Sequence, residues 1–306
     1  MRSLPLLALA ALCLHAQPTP SSFTPQQSAA LDARIRARIA GFPGHVSLHA
    51  RNLATGAEYG LNPDERVRTA STIKLPILCA LHDLAAQGKV AWDEELTLTD
   101  ADRVSGSGVL NEFTPGARIR VRDAANLMIV LSDNTATNLI LGRITADAVN
   151  AYMAKLGLPS TKSLRKVRGD GNQLKAPSGY AREGLLPEYR RFGLGVSTPR
   201  DMVRLLEMIH DGKIVSPEAS LQILTLLGRQ RYKDSIGRRL PDEWVFSKSG
   251  SLDALRSDVG IIQSPRGLLA LALTVDGMPG ADYGPENLGQ KLLADLALIL
   301  YDSLAP

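Results

Sequence analysis

Cysteine is almost absent from this 306-residue sequence, which has only Cys13 and Cys79. Cys13 falls in an amino-terminal leader, so a chain that has lost the leader keeps Cys79 alone, has no internal disulfide and must draw its stability from packing. Charge of one sign is lacking too: the formal net charge is +4, and loss of Arg2 with the leader leaves 34 basic against 31 acidic residues. Such a balance carries no electrostatic footprint for nucleic acid. No apolar run is long enough to span a bilayer, the longest being Leu4 to Leu14, so stable membrane insertion is not expected. Histidine is scarce. Of His15, His45, His49, His82 and His210, only His45 and His49 stand four apart, in a strand-like segment where ordinary surface is the expectation, so no metal site is expected. The sequence also lacks a His-Glu-x-x-His motif, a glycine-rich phosphate loop and a Gly-x-Ser-x-Gly elbow. No cofactor is implied.

The leader has a charged start at Met1-Arg2, an apolar core, and Leu14-His15-Ala16 as a cleavage tripeptide before Gln17. It reads as a secretory signal over residues 1–16, and the mature protein is expected to be exported, periplasmic or extracellular. Leu12 before Cys13 is bulkier than the small residue that lipoprotein signals prefer, so lipidation is not expected. At 44% hydrophobic, the chain can bury a full core.

Thr24-Pro25-Gln26-Gln27 has the form of a capping box, and Leu31, Ile35 and Ile39 follow at helical spacing. Val46, Leu48 and Ala50 then alternate with polar residues, and Ala57 to Leu61 returns after a turn, which implies two strands. A helix is expected from Ser71 to Gly88, apolar on most sides and burying Cys79. Residues 88–157 are mostly helical in pattern, with Ser132-Asp133-Asn134 at a junction between two helices. Pro159 to Gly195 has little periodicity and an excess of positive charge; loops this long are usually functional or disordered. Thr198-Pro199-Arg200-Asp201 caps another helix, closed by Gly212. Trp244 to Lys248, Leu255 to Gln263 and Leu268 to Asp276 read as strands with turn-sized gaps, hence antiparallel. A last helix is expected over Glu286 to Leu304. The fold expected is α/β in the α+β sense: an antiparallel sheet flanked by helices, formed by residues 17–68 and 197–306, and an all-helical lobe from 69–196 that includes an active-site loop over about 159–196.

The chemistry begins at Ser71-Thr72-Ile73-Lys74. A helix starting at Ser71 puts Ser71 and Lys74 on one face, and a desolvated lysine near other cations is neutral enough to take a serine proton. The pattern recurs at Ser163-Leu164-Arg165-Lys166, so spacing alone does not single out Ser71. Two further motifs do: Ser132-Asp133-Asn134 and Lys248-Ser249-Gly250 follow in order. Together the three resemble the serine β-lactamase and penicillin-binding protein superfamily, most nearly the class A β-lactamases, whose third motif is Lys-Thr-Gly. Gly106 to Leu110, Met128 to Asn138 and Leu240-Pro241 extend the likeness.

The resemblance implies that Ser71 attacks a strained amide carbonyl, that Lys74 shares its proton, and that Ser132 passes a proton to the departing nitrogen. It implies that Asn134 orients the ligand's side-chain amide, that Lys248 and Ser249 hold its carboxylate, and that Gly250 lets it approach the strand. The N–H groups of Ser71 and Ser251 would form the oxyanion hole. The partner implied is a small-molecule β-lactam, and a monomer is expected. One piece is missing: the family's Glu-x-x-Leu-Asn, whose glutamate activates the deacylating water, does not occur. Glu183-Gly184-Leu185-Leu186-Pro187 comes nearest, and Glu188 is its rival. Arg256 is either a further carboxylate contact or a solvated strand charge. Three readings stay open: a β-lactamase, a penicillin-binding or D,D-peptidase-like protein that deacylates slowly, and a covalent sensor or binding protein without turnover.

Overall fold

The computed structural model describes residues 23–168 and 179–305; the leader expected over residues 1–16 lies outside the described residues. Helix α1 (Pro25–Ile39) starts at the expected box, in which Thr24 Oγ1 accepts from the Gln27 N–H and Gln27 Oε1 from the Thr24 N–H. Strands β1 (His45–Asn52), β2 (Glu58–Leu61) and β3 (Val67–Arg68) lead to a 3-10 turn, Ala70–Ile73, and to α2 (Lys74–Ala86). The hairpin of β4 (Glu95–Thr97) and β5 (Arg118–Arg120) precedes α3 (Val121–Val130), α4 (Asn134–Ile144) and α5 (Ala146–Lys155). Strands β6 (Lys162–Ser163) and β7 (Gly195–Ser197) pair across the long loop, and α6 (Pro199–His210) and α7 (Pro217–Gly228) follow. The chain ends with β8 (Val245–Leu252), β9 (Leu255–Ser264), β10 (Gly267–Asp276) and α8 (Leu288–Leu304).

One antiparallel sheet organises the molecule, in the order β2-β1-β10-β9-β8, with β1 running His45 opposite Asp276 to Asn52 opposite Leu269. Alternation along the strands divides the core. Leu48, Ala50, Leu271 and Leu273 pack against Leu31 and Ile35 of α1 and Leu292, Leu296 and Leu300 of α8. Val259, Ile261, Ala270 and Ala272 face the other way, toward Val203 and Leu206 of α6 and the helices beyond. Because β10 is covered on both faces, it reads as an apolar run from Leu268 to Leu273 rather than an alternating one. Helix α2 is enclosed almost all round: Leu75, Ile77, Leu78, Cys79 and Leu81 are fully buried, each contributing about 1.5–3 kcal/mol for a Leu or Ile side chain. The same burial pushes the Cys79 thiol pKa up, away from reactivity.

The fold class is therefore the expected one, and the differences are local. Ser71 lies in the 3-10 turn and α2 begins only at Lys74. Helix α7, not anticipated, is capped by Ser216, whose Oγ accepts from the Ala219 N–H. The expectation of surface for the two spaced histidines holds for His45 and fails for His49. His45 is exposed and pairs with Glu65 at 2.5 Å. His49 is 3% exposed, because β1 is covered by α6 there, and burial pushes its pKa down to about 4. It is a neutral core residue.

The α3–α4 junction fixes the loops around the site. Ser132 is left-handed at φ 52°, which turns the chain sharply, and the next residue, Asp133, caps α4 by accepting from the Ala136 N–H at 2.7 Å. Its other oxygen accepts from the N–H groups of Val109 and Leu110 at 2.6 and 2.9 Å. Gly108, at φ 110°, lies so close that a Cβ would fall 2.3 Å from the Asp133 carboxylate. A buried carboxylate thus ties the 106–110 loop to α4. Asp133→Asn replaces one charged acceptor by an amide that faces N–H donors, and it should lower stability by about 2 kcal/mol. Urea unfolding followed by circular dichroism checks this; an unchanged midpoint would mean that the three contacts are not what holds the junction.

Candidate active site

Three segments meet at a cleft of about 230 Å³: the 3-10 turn, the α3–α4 junction and β8. Ser71, Ser132, Ser249, Gly250 and Ser251 line it. The turn that presents Ser71 begins with Ala70 at φ 46°, a conformation that costs a non-glycine residue about 1 kcal/mol or more. Strand β8 runs against this turn. At Gly250 a Cβ would come within 2.8 Å of the Thr69 carbonyl and 2.9 Å of the Ser71 nitrogen. Glycine is needed there for the approach of two backbones, beyond the approach of a ligand.

Lys74 is 0% exposed. Its Nζ donates to the Ser132 carbonyl at 2.6 Å, to Ser132 Oγ at 3.2 Å and to Asn134 Oδ1 at 2.8 Å. Burial pushes its pKa well below the ordinary lysine range, and the charge of Lys248 pushes it further, against the pull of Asp133. The amine is thus turned to the Ser132 junction as well as standing one helical step from Ser71. Asn134 Nδ2 donates in turn to the Ser105 carbonyl at 3.0 Å, so its amide spans from Lys74 to the opposite loop.

Lys248 is also 0% exposed and donates to the Ser249 carbonyl at 2.7 Å. Burial pushes its pKa down to about 7, and the charge of Asp258 opposes that fall. Asp258, on β9 opposite Ser249, is buried in turn, and its carboxyl is pushed up to about 7. Ser249 Oγ accepts from Gln230 Nε2 at 3.3 Å.

The remaining candidates lie elsewhere. Glu183 sits in a 3-10 turn, Glu183–Leu185. Its carboxylate accepts from Lys162 Nζ at 2.9 Å and Asn150 Nδ2 at 3.1 Å, and neither it nor Glu188 borders the cleft. Sequence spacing favoured Glu183, but these two partners, distant from it in the chain, draw its side chain to the middle of α5 and to β6. Arg256 is neither a solvated charge nor a cleft residue. It is 1% exposed, and its guanidinium donates to the carbonyls of Leu252, Leu255 and Asp282. The second Ser-x-x-Lys is separated in the same way: Ser163 is 0% exposed in β6, and Lys166 pairs with Asp102. Sequence reasoning missed Ser107, Tyr232, Asp234, Ser235, Tyr283 and Gln290, which complete the cleft wall. Of these only Ser107 fell in a stretch already singled out.

A mixed helix and antiparallel-sheet fold with these three motifs at one cleft defines the β-lactamase and penicillin-binding class. The chain belongs to the Beta-lactamase enzyme family, whose sequence model matches residues 30–304. It is 27% identical over 289 residues to Beta-lactamase L2 of Stenotrophomonas maltophilia, covering 91% of this chain and 86% of that one. It is 24% identical over 291 residues to the Beta-lactamase regulatory protein BlaB of Streptomyces cacaoi, covering 84% and 92%. Among solved structures it is similar to a β-lactamase from Sphaerobacter thermophilus DSM 20745, at TM-score 0.76 and 30% identity over 90% of this chain and 97% of that one. PBP-A gives TM-score 0.75 at 27% identity, over 90% and 95%.

The electrostatics of the cleft give a direct test. A neighbouring positive charge disfavours the ammonium form, so removing it raises a lysine pKa. In ¹³C-ε-lysine NMR, Lys74 should titrate well below 10.5, and Lys248→Met should move that titration to higher pH. An ordinary titration of Lys74, unmoved by the substitution, would break the coupling.

Proposed function

We propose that this protein is an exported serine enzyme that opens β-lactam rings through an acyl-Ser71 ester. The observation that carries the proposal is the buried Lys74 amine, depressed in pKa and bonded to Ser132 Oγ, directly behind the cleft that Ser71 and Ser132 line. In the reaction, Ser71 Oγ bonds to the lactam carbonyl carbon as its proton passes to the neutral Lys74 amine. Charge then develops on the carbonyl oxygen, where the N–H groups of Ser71 and Ser251 would receive it. The C–N bond breaks, and the proton travels from Lys74 through Ser132 to the leaving nitrogen, which balances the step. Lys248 and Ser249 would hold the ligand's carboxylate, and Asn134 its side-chain amide. A water hydrolyses the ester to complete turnover.

One observation favours a second reading, a penicillin-binding protein whose ester persists: the carboxylate of Glu183 is already committed to Lys162 and Asn150. The two readings share acylation and divide on deacylation. Intact-protein mass spectrometry with benzylpenicillin should show one adduct, on the Ser71 peptide, absent from Ser71→Ala; an adduct on Ser163 would overturn the assignment. A time course with a chromogenic β-lactam then reads turnover, with multiple turnovers supporting the hydrolase and a single burst the penicillin binder. Glu183→Gln should leave the lifetime of the ester within about twofold, since a general base is worth about 100 to 10,000-fold. A longer-lived ester in that variant would return the role to Glu183.

A further inference from the structure

Aromatic residues are only 5% of this chain, and most are buried or half-buried. Among the described residues the large exposed aromatic side chains are Phe113, Tyr232 and Tyr283, and two of these three line the cleft that holds Ser71. Tyr283 is the most exposed of them, at 57%. An exposed ring is ordinarily free to rotate, but this one is held at both ends. Its hydroxyl donates to Asp253 Oδ1 at 2.6 Å, and its ring lies 4.9 Å from the Arg256 guanidinium. That guanidinium is fixed in turn by three backbone carbonyls, of Leu252, Leu255 and Asp282. The phenol pKa is pushed up to about 12, chiefly by partial burial and also by the Asp253 bond, so the hydroxyl stays a donor at any working pH.

We propose that Tyr283 is a stacking platform and a specificity-determining residue, selecting β-lactams that carry an aromatic ring. The assignment rests on the acyl-Ser71 reading for the reaction, and on its own geometry for the platform. Arg256 stands near one side of the ring and the cleft on another, so a flat apolar group on a bound ligand can cover exposed ring surface without disturbing either anchor. A preorganised aromatic contributes contact area at little entropic cost, because only two side-chain torsions need fixing. Tyr232, 41% exposed on the loop before β8, faces the same cleft and adds a second apolar wall. This gives the buried Arg256 a use: it acts through Tyr283 as a pedestal. The ring could come from the acyl side chain of a penicillin or from the ring substituent of a cephalosporin, and the test separates the two.

Acylation rates of parent, Tyr283→Leu and Tyr283→Phe should be compared for benzylpenicillin against 6-aminopenicillanic acid, and for a cephalosporin with an aryl group at C3 against its C3-methyl counterpart. Tyr283→Leu should slow one aryl ligand about threefold to tenfold, the range an aromatic contact gives, and leave its aryl-free partner within twofold; the affected pair identifies the source of the ring. Tyr283→Phe, which keeps the ring and loses the Asp253 bond, should fall between. Equal changes across all four ligands would overturn the platform. A second measurement does not need the nucleophile: in ¹³C-tyrosine NMR, phenylacetylglycine should shift the Tyr283 ring resonances and acetylglycine should not. A shift without acylation of any ligand would sink the Ser71 reading and keep the platform, whereas acylation with no shift and no aryl preference would sink the platform alone.

Discussion

The burial of the Lys74 amine is the constraint on which the site depends. Placing a charged ammonium out of water costs several kcal/mol unless it is fully bonded or gives up its proton. Both answers are present here. Three oxygens surround Nζ, two from Ser132 and one from Asn134, and the pKa is depressed so that the neutral form is accessible. The left-handed turn at Ser132 follows from this demand, because it brings both the carbonyl and the hydroxyl of one residue to the amine. Asp133, directly behind, holds that turn in place through its bonds to α4 and to the 106–110 loop.

A second constraint is the closeness of two backbones. Strand β8 passes near enough to the Ser71 turn that only glycine fits at position 250. Ser71 is positioned between a helix it precedes and a strand that comes almost 180 residues later in the chain. Neither segment alone defines where Ser71 points.

Much of this was legible in the chain. The capping box at Thr24, the strand alternation after Val46 and the apolar strands of the C-terminal part are local patterns, and local physics decides them. The first two motifs were legible because each couples a residue type to the start of a helix, whereas Lys248-Ser249-Gly250 lies inside β8 and was legible from following them in order. What escaped was set by partners distant in sequence. Lys162 and Asn150 settle the direction of the Glu183 side chain, and no spacing rule reports them. Arg256 read as a possible surface charge because carbonyls, which every residue has, satisfy it. His49 looked like surface because the alternation of β1 does not reveal that α6 covers it. Tyr232 and Tyr283 belong to no motif; only the folded chain brings them to the cleft.

The sheet joins β1 to β10 and so pairs His45 with Asp276. Contacts of such long sequence separation form slowly, since a large loop must close before any pairing rewards it. A chain emerging from its amino terminus therefore completes Ser71, Lys74 and Ser132 well before it has the strand that packs on the Ser71 turn. Until β8, β9 and β10 arrive, β1 has only β2 as a sheet neighbour, and the turn at Ala70 lacks the packing of β8, keeping its contacts with β7, where the Thr69 N–H donates to the Gly195 carbonyl. The cleft that Ser71 lines is therefore complete only when the last strands are in place, a timing set by the order of elements along the chain.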